Sequence, residues 1–171
     1  MTSTTAGSVG HRPDPHPGWQ HLAAFGGFVL AAVLAAGLGG IATSGTTDSA
    51  WFRALDKPPW YPPSAAFGIV WTVLYVMIAV AGYLAWRAGA DQAAIGWWAL
   101  QMGLNLAWSV VFFGLRSPGW AMVVIVGLAL AIVATIRAFA PLDRRASWLL
   151  IPYLAWVLFA STLNAAIVAL N

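Results

Sequence analysis

Residues 51–86 read W-F-R-A-L-D-K-P-P-W-Y-P-P-S-A-A-F-G-I-V-W-T-V-L-Y-V-M-I-A-V-A-G-Y-L-A-W. This stretch decides the fold. Its first half is polar and aromatic, with Pro58, Pro59, Pro62 and Pro63 within six positions. Each proline holds φ near about −65° and removes a backbone donor, so this part is a stiff loop rather than a helix. Its second half, from residue 66, runs without charge until Arg87 and is long enough to cross a bilayer, which takes about 20 apolar residues. A rigid aromatic loop feeding an apolar span reads as a lid over a membrane cavity.

Working outward, the composition sets the class. The chain has 171 residues, 61% hydrophobic and only 8% charged, against about 25% charged in a soluble domain. Too little polar surface exists to coat a globule in water, so the protein is integral to a membrane. The net charge of +3 comes from a scarcity of acids, since no basic cluster exceeds Arg144 and Arg145. That excludes a nucleic-acid patch. With no cysteine, thiolate catalysis, disulfides and sulfur-ligated metals are excluded.

Residues 1–20 are rich in Ser, Thr, Gly and Pro and read as a disordered polar tail, and residues 21–171 as one transmembrane domain. His11, His16 and His21 recur at intervals of five, but nothing orders them into a metal site. Residues 22–47 carry no charge and form the first span; the run exceeds the 7–15 apolar residues of a signal peptide. On it Ala32, Ala36 and Gly40 form a small-residue face for helix contact. The second span covers 66–86. Asp91 caps the third, 92–115. Ser117 and Pro118 start the fourth, which ends near Arg137. Residues 146–171 form the fifth, with Pro152 expected to kink its first turns. The fold class is therefore all-α, an integral membrane bundle of five transmembrane helices. Arg12, Arg87, Arg137, Arg144 and Arg145 fall on the N-terminal side against Arg53, Lys57 and Arg116 opposite. The positive-inside rule places the N-terminus in the cytoplasm.

At about 100° per residue, Gln101, Asn105, Trp108 and Phe112 share one face of the third span. Ala99, Gly103 and Ala107 share the opposite one, a small-residue stripe suited to a homodimer contact. Trp71, Tyr75, Ile78 and Gly82 align on the second span, and Tyr153, Trp156, Ala160 and Asn164 on the fifth. Three aromatic stripes, each beside an amide, hydroxyl or small residue, suit a large, flat, apolar ligand. The alternative is plain helix packing. Trp86, Trp120 and Trp148 lie near span ends and read as the interfacial belt. No span carries an ionisable residue in its middle, so proton relays, paired carboxylates, nucleophile–His pairs and metal sites are not expected inside the membrane.

D-K-P-P-W-Y-P-P (56–63), W-T-V-L-Y (71–75), Q-M-G-L-N-L-A-W-S-V-V-F-F-G (101–114) and P-Y-L-A-W-V-L-F-A-S-T-L-N (152–164) resemble the translocator protein family, whose bacterial members are called tryptophan-rich sensory proteins, TspO. The likeness covers residues 22–171 in order. It implies a five-helix bundle, often dimeric, that binds protoporphyrin IX, haem, sterols and benzodiazepine-type drugs under the first loop. By position it implies a ligand site of Trp60, Trp71, Tyr75, Asn105, Trp108, Phe112, Trp156, Ala160 and Asn164. It implies no obligatory cofactor; porphyrin is a ligand. Some bacterial members look able to degrade protoporphyrin in light, which would make Trp71 and Trp156 the reactive pair. A tetrapyrrole or sterol transporter is the other alternative. Two departures stand out: Pro59 where several relatives have a second loop tryptophan, and Ala65 where an aromatic often follows the proline pair. V-A-G-Y-L-A-W-R (80–87) fits a loose cholesterol pattern. Arg53 or Lys57 is expected near the propionates of a bound porphyrin.

Overall fold

The computed structural model describes residues 17–171. His11, Arg12, His16 and most of the expected tail lie outside the described residues. The first helix, α1, spans Gly18–Thr47, starting four residues before the expected span and taking His21 into its first turns. A short helix, α2, spans Ala50–Ala54 and opens the loop. Then follow α3 (Ser64–Arg87), α4 (Gln92–Ser109), a π-helical turn (Val110–Gly114), α5 (Pro118–Phe139) and α6 (Arg144–Leu170). Among the described residues there is no strand.

The helix ends follow local chemistry. Asp91 caps α4, its carboxylate accepting from the Ala94 N–H at 2.8 Å, and Asp143 caps α6 by accepting from Arg145 N at 2.7 Å. Pro118 takes the first position of α5, where its missing donor costs nothing. Just past α3 and its cap Ala88, Gly89 has a φ of 86°, which favours glycine. α6 continues through Pro152.

Four helices, α1, α3, α5 and α6, are each long and apolar enough to cross a membrane. α4 with its π turn is as long, but Gln101, Asn105 and three tryptophans lower its hydropathy. The five long helices form a closed ring in the order α1, α3, α6, α5, α4, back to α1. Its two ends are marked by contacts distant in sequence. At one end His21 Nδ1 shares a 3.2 Å hydrogen bond with the Tyr83 hydroxyl. At the other, Asn171 Oδ1 accepts from Asp56 N at 3.0 Å and its Nδ2 donates to the Asp56 carbonyl, joining the C-terminus to the loop.

The contact face of α1 is Ala32, Ala35 and Gly39, all buried, rather than the expected Ala32, Ala36 and Gly40. Gly39 sits against Ser109 of α4, while Ala36 and Gly40 are turned outward. α1 touches both α3 and α4, so its buried stripe follows the seam between them instead of one straight four-residue repeat. In the half of the ring away from the loop the core is dense. Ile78, Ala81, Ile132, Phe139 and Tyr153 are fully buried. Phe28 meets Trp98 edge to face at 4.9 Å over Gly82, and Trp98 Nε1 donates to the Ile78 carbonyl at 3.0 Å.

Candidate functional site

Under the loop the packing opens into a cavity of about 290 Å³. Trp71 and Phe67 of α3 form one wall. Trp108, Phe112 and Phe113 form another, and Ala160, Leu163 and Asn164 of α6 a third. Phe52, Tyr61 and Asp48 line it from the loop side.

The π turn shapes the second wall. In a regular α-helix Phe112 and Phe113 point about 100° apart, so both cannot face the interior equally. The wider π turn lets both be buried, with ring centroids 4.8 Å apart and Phe112 5.5 Å from Trp108. The Phe113 carbonyl accepts from the Thr46 hydroxyl of α1 at 3.2 Å, and Arg116, at φ 51°, turns the chain out of the helix.

One amide is held rigidly in this apolar wall. Asn164 is buried; its Oδ1 accepts from Trp108 Nε1 at 3.1 Å and its Nδ2 donates to the Pro118 carbonyl at 2.8 Å. These bonds fix which way the amide points and leave the second lone pair of Oδ1 for a ligand donor.

The roof is folded on itself. Lys57 Nζ donates to the carbonyls of Phe52, at 2.6 Å, and Leu55, at 3.1 Å, and lies 4.5 Å above the Phe52 ring. Two of its three ammonium donors thus end α2; Arg53 is exposed nearby. Tyr61 lies tilted against Phe67, ring centroids 5.5 Å apart, and burial pushes its phenol pKa above the usual 10.0.

Of the nine expected site residues, Trp71, Trp108, Phe112, Ala160 and Asn164 line this cavity. Trp60 does not: the residue is 54% exposed, and Tyr61 beside it takes the inward position. Two trans-prolines on either side hold the pair in an extended turn, so only one of the two neighbouring rings can face in. Trp156 stands behind Phe67, with centroids 5.7 Å apart. Tyr75 and Asn105 lie deeper, joined by a 2.6 Å hydrogen bond from the phenol to Asn105 Oδ1. Gln101, fully buried, lies deeper again, and its amide meets no protein partner. The predicted face of α4 is real, but it runs down the bundle axis and only its loop-side end reaches the cavity. Phe67, Tyr61, Leu163 and Ser109 are lining residues that stripe reasoning missed. Tyr61 and Phe67 had a signal in the aromatic spacing around Pro62 and Pro63.

Trp71 is a partition. Besides this cavity it lines a second, of about 470 Å³, on the outer side of the ring between α1 and α3. Thr43, Phe67 and Ser109 also line both. The Trp71 ring is held between Tyr75, at 5.4 Å, and Tyr153, at 6.1 Å. Ala99 and Gly103 of the opposite stripe are exposed, and a methyl group at Gly103 would meet nothing. Among the described residues no three His, Cys, Asp or Glu side chains cluster as metal ligands.

The family model described as TspO/MBR family matches residues 28–170. The chain is 40% identical over 144 residues to the tryptophan-rich protein TspO of Archaeoglobus fulgidus, covering 83% of this chain and 94% of that one. It is 40% identical over 119 residues to the human translocator protein, 67% of this chain and 70% of the relative. Against the tryptophan-rich sensory protein of Cereibacter sphaeroides it is 35% identical over 121 residues, 71% and 77% of the two chains.

Proposed function

This chain belongs to the TspO/MBR family and is an integral, multi-pass membrane protein; we propose that within that family it is a receptor or regulator that captures porphyrins such as protoporphyrin IX and haem, and related flat apolar ligands, beneath its first loop. The observation that carries this reading is the cavity itself. Aromatic faces wall it from the second span, the third span and the loop, and one oriented amide, Asn164, stands among them. A flat macrocycle gains from burial against such faces, and the amide meets a ring donor. Arg53, exposed at the loop, or Lys57 beside Phe52 is the cation for an acidic ligand edge. The N-terminus, which has more arginines on its side, faces the cytoplasm in this reading. A second copy would dock through Ala99, Gly103 and Ala107, outside the ring and away from the cavity.

The light-driven reading is favoured by one feature. Trp71 lies against two tyrosine rings, so an oxidised indole there has electron-rich neighbours.

Two tryptophans test the receptor reading. Trp108 lines the cavity, and Trp148, 65% exposed, faces outward at a helix end. Truncating a buried aromatic costs on the order of 3 kcal/mol in a packed site, part of it recovered by relaxation. Trp108→Ala is expected to weaken protoporphyrin IX by about tenfold or more and Trp148→Ala by less than about twofold. Quenching of intrinsic fluorescence in one detergent measures both. Equal affinities would mean the aromatic walls are packing only.

A further inference from the structure

The second cavity is a long groove rather than a bowl. On α1 its floor follows Phe25, Val29, Ala32, Ala36, Gly40 and Thr43. From the first to the last of these is about 27 Å at about 1.5 Å per residue. Gly68, Thr72, Val76 and Val80 of α3 face them. The hydrocarbon core of a bilayer is about 30 Å thick, so the groove runs well beyond one leaflet.

Its chemistry is that of a hydrocarbon. The hydroxyl of Thr43 donates to its own helix at the Gly39 carbonyl, at 2.7 Å, and that of Thr72 to the Gly68 carbonyl, at 2.8 Å. Neither has its proton free for a ligand. The small side chains on α1 give depth without polarity. At the loop end the groove meets the cavity under the loop through Trp71, Phe67, Thr43 and Ser109, which line both. A flat space walled by aromatic rings thus abuts, across one indole, a straight apolar channel on the outer side of the ring.

We infer that the ligand this protein is shaped for is a tetrapyrrole carrying a long isoprenoid or other hydrocarbon tail, its ring beneath the loop and its tail in the α1–α3 groove. The inference rests on the porphyrin-binding reading of the loop cavity. The tail enters sideways from the lipid, past Trp71, without crossing water. It gains little from the hydrophobic effect, since it leaves one hydrocarbon medium for another. Selectivity comes instead from close packing on small residues and from holding the ring's open edge toward the groove.

The test compares two metal-free chlorins that differ in the tail and not in charge: pheophytin a, a phytyl ester, and the methyl ester of pheophorbide a. Each is titrated by tryptophan quenching against the protein in lipid nanodiscs. The groove is filled with Ala36→Phe and, separately, Gly40→Leu. Both positions face outward, and a Cβ at Gly40 meets no other atom within 4 Å, so these variants fill space without strain. Taking each variant relative to wild type cancels the partition of the probe into lipid. Pheophytin is expected to lose about tenfold or more in affinity, and the methyl ester less than about twofold. Unchanged affinity for both probes would overturn the inference, leaving a groove filled by ordinary lipid chains and the receptor reading intact. Equal losses would overturn it too, because the groove would then act on the ring. Failure of wild type to bind either chlorin or protoporphyrin IX would overturn the receptor reading and this inference with it.

Discussion

Two aromatic clusters in this protein look alike in sequence and differ in use. Phe28, Trp98 and Gly82 form one, in the half of the bundle away from the loop. Trp71, Trp108 and Phe112 form the other, beneath it. In the first, the indole N–H donates to a backbone carbonyl, that of Ile78, and the rings close over a glycine with no space left. In the second, the Trp108 indole donates to a side-chain amide, and the rings stand around a void. An aromatic residue satisfied by its neighbours' backbone and packed to contact belongs to the core. One held by an oriented polar side chain at the edge of open space belongs to a site.

The sharpest way to break this distinction is Gly82→Leu. A Cβ at Gly82 would lie 2.6 Å from Phe28 Cδ1 and 2.9 Å from Trp98 Nε1. Phe28 is half-buried and lies edge to face on Trp98, so a larger residue at Gly82 must break that contact. Overpacking of this kind costs about 3 kcal/mol, so the variant should melt well below wild type in detergent. The matching change Gly103→Leu meets open space and should leave the melting temperature in place while reducing self-association, read by sedimentation. If both variants melt alike, the dense cluster is softer than its geometry implies and the contrast between the two halves fails.

A smaller effect probes the level between the halves. Tyr75 donates to Asn105 Oδ1, and the Asn105 Nδ2 has no protein partner. Removing the phenol in Tyr75→Phe therefore leaves a buried amide with no protein hydrogen bond. The expected loss is about 1 kcal/mol of stability. Because Tyr75 also steadies Trp71, porphyrin affinity should fall a few-fold, with the larger effect on the dissociation rate. Stability and affinity both unchanged would remove this pair from the support of the partition.

How much of this was legible in the sequence varies with the kind of signal. The five helices follow from uncharged runs bounded by Asp91, Pro118 and the arginines, because chain length and charge alone decide what can cross a bilayer. The inward face of α4 also follows, since Gln101 and Asn105 leave a helix few other places to point in lipid. Depth along a face does not follow: the same stripe carries a cavity residue, Trp108, and a fully buried one, Gln101. The choice between Trp60 and Tyr61 depends on the path of the loop between its proline pairs, which neighbouring residues do not reveal. The π turn, which turns Phe113 as well as Phe112 inward, has no period that could be read in advance. The contact stripe of α1 shifted by one residue because it serves two neighbours at once.

The smallest expected effect tests whether the roof belongs with the site or only shields it. Tyr61 is held against Phe67, and burial raises its phenol pKa above 10.0. The folded state therefore keeps the proton longer than the unfolded chain does. Its contribution is fully present below the unfolded value of about 10 and is lost as pH rises through the folded value. Between pH 9 and 11 the melting temperature should fall in wild type, and Tyr61→Phe should fall less steeply, because that variant has no phenol to ionise there. Below pH 8 the two proteins should melt within a degree or so of each other, since a phenol with no hydrogen-bonded role contributes only a few tenths of a kcal/mol. Ligand binding supplies the second half of the test. A porphyrin stacked under Tyr61 shields the phenol further, so saturating protoporphyrin IX should move the alkaline fall of the wild-type protein to higher pH and leave Tyr61→Phe where it was. A wild-type profile that the ligand does not move would place Tyr61 with the outward Trp60, as part of the cover and not of the wall.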